Sequence, residues 1–138
     1  MKTKKYKDYR DIFESNKIVA VVGFSDNHTR ASNRIGRYLK GNGFTVYGVN
    51  PKFAGKEIDE ISCYASVKDL PEEADIINVF RRSEYVPDLM EEILELDYKP
   101  NLIWSQIGVI SSESSDKALE NDIDYIENKC IMVEHNNI

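Results

Sequence analysis

Residues Ile18 to Ser32 read IVAVVGFSDNHTRAS, and this stretch limits the possible folds more than any other in the chain. Val19 to Val22 run apolar straight into Gly23. A short polar loop carrying Arg30 and Ser32 follows, and then Ile35, Tyr38 and Leu39 at helical spacing. A strand that is apolar on both faces belongs in the middle of a parallel sheet. The junction from its end into a helix is where α/β proteins dock anions, because free backbone N–H groups and the helix dipole converge there.

The rest of the chain repeats the alternation. Tyr6 to Ser15 predicts a leading helix within residues 1–16, and Lys17 to Gly23 the first strand. Ser32 to about Lys40 predicts a crossover helix, with Ser32 placed to cap it and Gly41 and Gly43 to end it. Phe44 to Asn50 reads as a second strand closed by Pro51. The signal is weak from Lys52 to Ser62, where Phe53-Ala54-Gly55 looks like loop. Cys63 and Tyr64 suggest a short strand, and Val67 to Leu70 a turn of helix. Asp75 to Phe80 predicts a third main strand. Ser83 to Leu96 predicts a helix, with Val86, Leu89, Met90, Ile93 and Leu94 on one face and Pro87 in its first turn. Asn101 to Gln106 reads as a fourth strand, followed by Gly108. Ser111 or Ser112 caps a helix to about Asn121, and Asp124–Ile126 and Cys130–Val133 supply the last short strands.

Strands alternating with helices imply one α/β domain over residues 1–138: a doubly wound, mostly parallel sheet of about five strands with helices on both faces. In such sheets ligands sit beyond the C-terminal strand ends. Four segments should therefore line one crevice: Gly23–Ser32, Asn50–Lys52, Phe80–Arg82 and Gln106–Gly108.

Composition narrows the ligand. The net charge is −6, which argues against general binding to nucleic acid or a membrane surface. The charged start MKTKKYKDYRDIFE has no apolar signal-peptide core, and no apolar run approaches the ~18 residues of a membrane span. Cys63 and Cys130 lack metal-site spacing and are expected as reduced thiols, which points to the cytoplasm. No metal site is expected.

The crevice segments are cationic. Arg30, Lys52 and the Arg81-Arg82 pair stand at three strand ends of an acidic chain, and guanidinium groups grip phosphate oxygens in pairs. Ser25 and Ser32 add hydroxyls, although Ser32 is equally explained as a helix cap and Asn50 as ordering its own turn. The first loop lacks the three glycines of a dinucleotide fingerprint. The second strand ends in Asn50-Pro51 rather than the acidic residue that reads a ribose in NAD, and there is no Walker loop. Trp104 is expected in the core. His28 and His135 have no catalytic partner at a recognisable spacing, and Glu91-Glu92 and Glu57–Glu60 read as exposed surface. No catalytic residue is assigned. An enzyme using NAD or another adenine nucleotide, and a protein-interaction domain with a vestigial pocket, stay open as alternatives.

Five motifs in order resemble the small stand-alone CoA-binding proteins, which are similar to the CoA-binding domain of succinyl-CoA synthetase alpha subunits. They are VVGFSDNHTRAS, VYGVNPKFAG, CYASVKDLPEEADIINVFRR, IWSQIGV and NKCIMVEH, spanning Lys17 to His135. The resemblance implies a Rossmann-like domain that binds coenzyme A or an acyl-CoA. By position, Gly23, Phe24, Ser25, Arg30 and Ser32 would cradle the pyrophosphate. Asn50, Pro51 and Lys52 would lie near the ribose phosphate, and Phe80, Arg81 and Arg82 would flank the adenosine or pyrophosphate. Gln106, Gly108 and Val109 would border the pantetheine path. Two positions depart from the family: Ala31 stands where Pro is common, and Ser105 where an apolar residue is. Synthetase catalysis does not carry over, because its phosphorylated histidine belongs to a second domain, and His135 is no substitute. Cys130 matches a family cysteine and reads as a small packed residue, with a thiol facing the CoA sulfur as the alternative. A binding protein without chemistry of its own is the expected outcome.

Overall fold

The computed structural model describes residues 3–138; Met1 and Lys2, part of the expected leading segment, lie outside it. Five-residue apolar or alternating runs form the central strands β1 (Ile18–Val22) and β2 (Thr45–Val49). They are followed by β3 (Glu57–Ile58), β4 (Ile61–Tyr64), β5 (Ile76–Val79), β6 (Leu102–Ser105) and β7 (Asp124–Ile126). The helices are α1 (Tyr9–Ser15), α2 (Ala31–Gly41), α3 (Val86–Leu94), α4 (Ser112–Glu120) and α5 (Ile131–Asn136). Single 3-10 turns occupy Pro51–Phe53, Val67–Asp69 and Ser83–Tyr85.

The sheet order is β3-β4-β2-β1-β5-β6-β7. Every pairing is parallel except the β3–β4 hairpin. The sheet is thus doubly wound and mostly parallel, as expected, but with seven strands rather than about five. The two-residue β3 accounts for part of the difference, since so short an element leaves no period to read. The chain leaves β1 toward β2 on one side and later returns to β5 on the other. The reversal opens a crevice at the C-terminal ends of β1 and β5.

Two apolar layers flank the sheet. Phe13, Phe24, Ile35, Leu39, Trp104 and Ile131 belong to the layer under α1, α2 and α5. Ala20, Val22, Ile77, Leu89, Ile93 and Ala118 belong to the layer under α3 and α4. Trp104 is fully buried, stacks on Phe13 at 5.7 Å between ring centroids, and donates its indole N–H to the Lys129 carbonyl at 2.9 Å.

Two local expectations are corrected. Cys130–Val133 is not a strand: Ile131 begins α5. Four apolar residues fit either period, and tertiary contacts decide. Ile131 is fully buried, its N–H is taken by Gln106 Oε1 at 3.0 Å, and Val133 is 46% exposed. The chain has also just turned through Asn128 at a φ of +59°. Nor does Ser32 cap α2. Arg30 occupies the N-cap, and Ser32 lies inside the first turn, 5% exposed. Ser111 caps α4 as expected, accepting from the Ser114 N–H at 3.2 Å.

Candidate functional site

β1 ends where its last hydrogen bonds are made. Gly23 N donates to the Val49 carbonyl at 2.8 Å, and Phe80 N donates to the Val22 carbonyl at 2.9 Å, so the ends of β1, β2 and β5 are held side by side. Gly23 sits at a φ of +89°, and a Cβ there would lie 2.3 Å from the Phe80 carbonyl oxygen. Only glycine meets both conditions.

Phe24 then turns inward. Its ring is fully buried beneath Gly36 of α2 and Gly48 of β2, where added Cβ atoms would come within 2.8 Å and 2.6 Å of it. The two glycines let helix and strand close on one ring, and that ring fixes where the polar loop leaves the sheet. The Phe24 side chain is therefore a core anchor, and its backbone carbonyl accepts from Asn50 Nδ2 at 2.9 Å.

The loop and strand ends enclose a crevice of about 390 Å³. From the first junction Gly23, Ser25, Arg30 and Ser32 line it, joined by Asp26 and Ala31. The end of β2 contributes Asn50, Lys52 and Phe53, and the end of β5 contributes Phe80. Asp26 and Ala31 fall inside the expected Gly23–Ser32 segment, whereas Phe53 lies just beyond the expected Asn50–Lys52 segment. Phe53 carries no sequence signal beyond its loop composition, and nothing in the residue types of Asp26 and Ala31 marks them for binding.

The crevice is built to receive negative charge. The Arg30 side chain does not cap α2, so the first-turn N–H groups of that eleven-residue helix have no partner within the helix. Arg30 and Lys52 line the same space, and neither they nor Arg81 and Arg82 form an ion pair among the described residues. Arg81, next to Phe80, buries its Nε with no hydrogen-bond partner there. Asp26 brings one opposing carboxylate. A larger cavity of about 690 Å³ lies elsewhere, among Glu72, Glu73, Asp75 and Asp97 with Lys68. Its carboxylates would repel an anion, so size is not the criterion.

The remaining predicted contacts are tied up locally or lie away from this crevice. Asn50 lines the crevice and also orders its own turn: Oδ1 accepts from the Lys52 N–H at 3.0 Å, and Nδ2 donates one hydrogen to the Phe24 carbonyl. Pro51 is exposed at the start of the following 3-10 turn. Beyond β6, Gln106 points into the protein, where Oε1 accepts from Asn78 Nδ2 at 3.1 Å and from Ile131 N at 3.0 Å. Val109 is packed in the α3–α4 layer. Gly108 is exposed and donates its N–H to Asn128 Oδ1 at 2.8 Å. Ser105, in place of an apolar residue, satisfies its hydroxyl against the Tyr125 hydroxyl at 3.3 Å inside the core. Burial of Tyr125 raises its phenol pKa.

The two histidines part company. His28 lies in the first loop, with Nε2 2.9 Å from Asp59 Oδ1. Hydrogen bonds from Asn33 and His28 hold the Asp59 carboxyl below its usual range. That partner is 31 residues away in the chain, too far for a spacing argument to find. His135 packs edge-on against Phe13, Phe44 and Tyr38, and its Nδ1 meets the Tyr38 hydroxyl at 2.7 Å. Burial, and then the nearby Lys17 charge, lower its pKa. No group of three or more metal-binding side chains occurs among the described residues. No helix among them is long and apolar enough to cross a membrane.

Comparison with known proteins follows the same lines. The chain is 34% identical over 131 residues to the uncharacterized protein YneT of Bacillus subtilis (strain 168), covering 93% of this chain and 92% of that one. It is 34% identical over 119 residues to acetate–CoA ligase [ADP-forming] II of Archaeoglobus fulgidus, covering 82% of this chain and only 17% of the ligase. Among solved structures, a Thermus thermophilus protein superposes with a TM-score of 0.88 at 32% identity, covering 95% of this chain and 98% of that one. A hypothetical protein from Pyrococcus horikoshii OT3 does so with a TM-score of 0.86 at 29% identity, covering 99% and 98%. The sequence model of the CoA binding domain matches residues 17–136, and the chain belongs to that family.

Proposed function

We propose that this protein binds coenzyme A or an acyl-CoA in the crevice above β1, β2 and β5, and performs no chemistry on it. The observation that carries this reading is the uncapped start of α2 facing the same space as Arg30 and Lys52. A pyrophosphate over that helix end gains backbone donors, a favourable dipole and two side-chain cations at once. Ala31, where the family often has Pro, adds one more N–H to the set. Arg81 and Arg82 follow Phe80 at the end of β5 and add positive charge beside the crevice for a further phosphate.

The pantetheine arm has an apolar exit. Tyr85, Ile107 and Ile110 are 49%, 68% and 51% exposed, and they lie on the two turns that follow β5 and β6. Ser83 ties those turns together, donating to the Gly108 carbonyl at 3.2 Å and accepting from Ile110 N at 2.9 Å. An arm or acyl chain leaving the crevice would run over this lip. An NAD reading finds less support, because β2 ends in Asn50 rather than in the acidic residue that accepts from the ribose hydroxyls of NAD.

Isothermal titration with CoA, acetyl-CoA, NAD and ATP tests the proposal. Binding of CoA or acetyl-CoA in preference to the other two is expected. Arg30→Ala should weaken it about tenfold or more, the scale of a charge-assisted hydrogen bond. Absence of CoA binding at millimolar concentration, or binding of NAD alone, would overturn it.

A further inference from the structure

Outside the crevice lining, three elements meet at a single carboxylate. The turn of the β3–β4 hairpin is formed by Asp59 and Glu60, both left-handed, at φ values of +52° and +65°. Side chains meet a steric cost in that region, Asp and Asn a smaller one than most, and glycine none. Asp59 nevertheless occupies it, and its carboxylate is fully engaged. Oδ1 and Oδ2 lie 2.9 Å and 3.0 Å from His28 Nε2, and Oδ2 also accepts from Asn33 Nδ2 at 3.0 Å.

Asn33 passes this hold on to the crevice. It is fully buried in the first turn of α2. The same Nδ2 donates to the Ser25 carbonyl at 2.9 Å, and Oδ1 accepts from Arg37 Nε at 2.7 Å. Ser25 lines the crevice, and His28 stands at the tip of the loop that leads from Ser25 to Arg30. The hairpin is fastened to α2 a second time by Lys40 Nζ on the Glu60 carbonyl. Two contacts from the Asp59 turn therefore reach the loop, one at its root through Asn33 and one at its tip through His28.

We propose that Asp59 is a positioning residue for the anion-binding loop, holding Ser25 and His28 from the neighbouring hairpin so that the crevice donors are set before ligand arrives. The proposal rests on the reading that this crevice takes the CoA phosphates. A loop already ordered in its binding form avoids the entropic cost of ordering on association. Glycine at position 59 would relax the turn and leave the loop unheld, whereas Asp59 sits at a positive φ and holds it.

Asp59→Gly separates positioning from mere support, because it should push stability and affinity in opposite directions. The melting temperature is expected to stay level or rise, since strain at the turn is relieved. CoA affinity is expected to fall about tenfold, and amide exchange from Ser25 to Arg30 in the ligand-free protein to quicken about tenfold. Asp59→Asn keeps an acceptor for Asn33 and should restore affinity to within about threefold of the parent. Parental affinity and parental loop exchange in Asp59→Gly would overturn the proposal, and so would a fall in melting temperature that accounts for the lost binding. If the parent protein binds no CoA, the CoA reading fails on that titration. The exchange measurement, which uses no ligand, then decides for or against Asp59 alone.

Discussion

Two turns at the C-terminal edge of the same sheet have opposite fates. After β1, the chain from Gly23 to Ser32 reaches α2 without a side-chain cap, and its first-turn N–H groups stay available. After β6, the chain from Gln106 to Ile110 spends its donors at home. Gly108 N goes to Asn128, Val109 N to the Gln106 carbonyl and Ile110 N to Ser83. The first turn leaves the N–H groups at the start of α2 facing the space that Arg30 and Lys52 line, the arrangement an anion site requires; the second presents Ile107 and Ile110 as an exposed apolar lip. Position at a strand end is common to both. What separates them is whether the donors at the turn's end meet a side-chain acceptor: Asn128 and Ser83 serve the second turn, and no cap serves the start of α2.

The harshest way to break the contrast is to disturb the first turn's geometry. Gly23→Ala places a Cβ 2.3 Å from the Phe80 carbonyl at a φ of +89°. It should cost roughly 3 kcal/mol, combining overpacking with a left-handed side chain. Thermal denaturation should show a drop of about 10 °C for a chain of this size, and CoA binding should vanish with it. An unchanged melting temperature would mean that β1 and β5 can part without loss.

Gln106→Ala probes the second turn. It removes the acceptor of both Asn78 Nδ2 and Ile131 N, and should cost about 2 kcal/mol through buried donors left unpaired. Affinity for CoA, titrated below the unfolding transition, should change less than about threefold. A large loss of affinity with little loss of stability would return Gln106 to the ligand path. Arg30→Ala is the converse case. Arg30 is exposed and does not cap its helix, so the melting temperature should hold within about 2 °C while CoA affinity falls at least about tenfold.

The contrast also marks what could be read without coordinates. β1, α2, β2, β5 and β6 follow from short apolar-rich runs and helical spacing, because burial on a regular element repeats at short range. The cationic edge was legible for the same reason: once the strands are placed, Arg30, Lys52 and Arg81 fall at their ends. The inward turn of Gln106 was not, since it depends on Asn78, 28 residues away, and on Ile131, 25 residues away. The α5 start at Ile131 depended on that contact too, and Cys130–Val133 alone fits a strand as well as a helix. The Asp59 turn was invisible because β3 is two residues long and its partners, His28 and Asn33, lie in the preceding loop and helix.

The second turn is pinned from its far side as well, and pH offers a gentler lever on it. α5 begins on Gln106 and is held near its end by His135, which accepts or donates one hydrogen bond with Tyr38 and packs on Phe13 and Phe44. Burial and Lys17 depress the His135 pKa from its ordinary 6.5. The unfolded chain therefore binds a proton in a range where the folded chain does not, and stability must rise with pH across that range. The contribution is complete above about pH 6.5 and is lost as pH falls through the depressed folded value. Melting temperatures measured from pH 7 downward should decline over this window in the parent, and decline less in His135→Phe, which keeps the aromatic packing but cannot be protonated. Equal slopes in the two proteins would remove His135 as the cause. The effect should be the smallest of the set, because His135 is only partly buried and solvent screens its charge. It should also leave the parent's CoA affinity per folded molecule unchanged by this group, because His135 belongs to the layer beneath α1, α2 and α5 and not to the crevice lining.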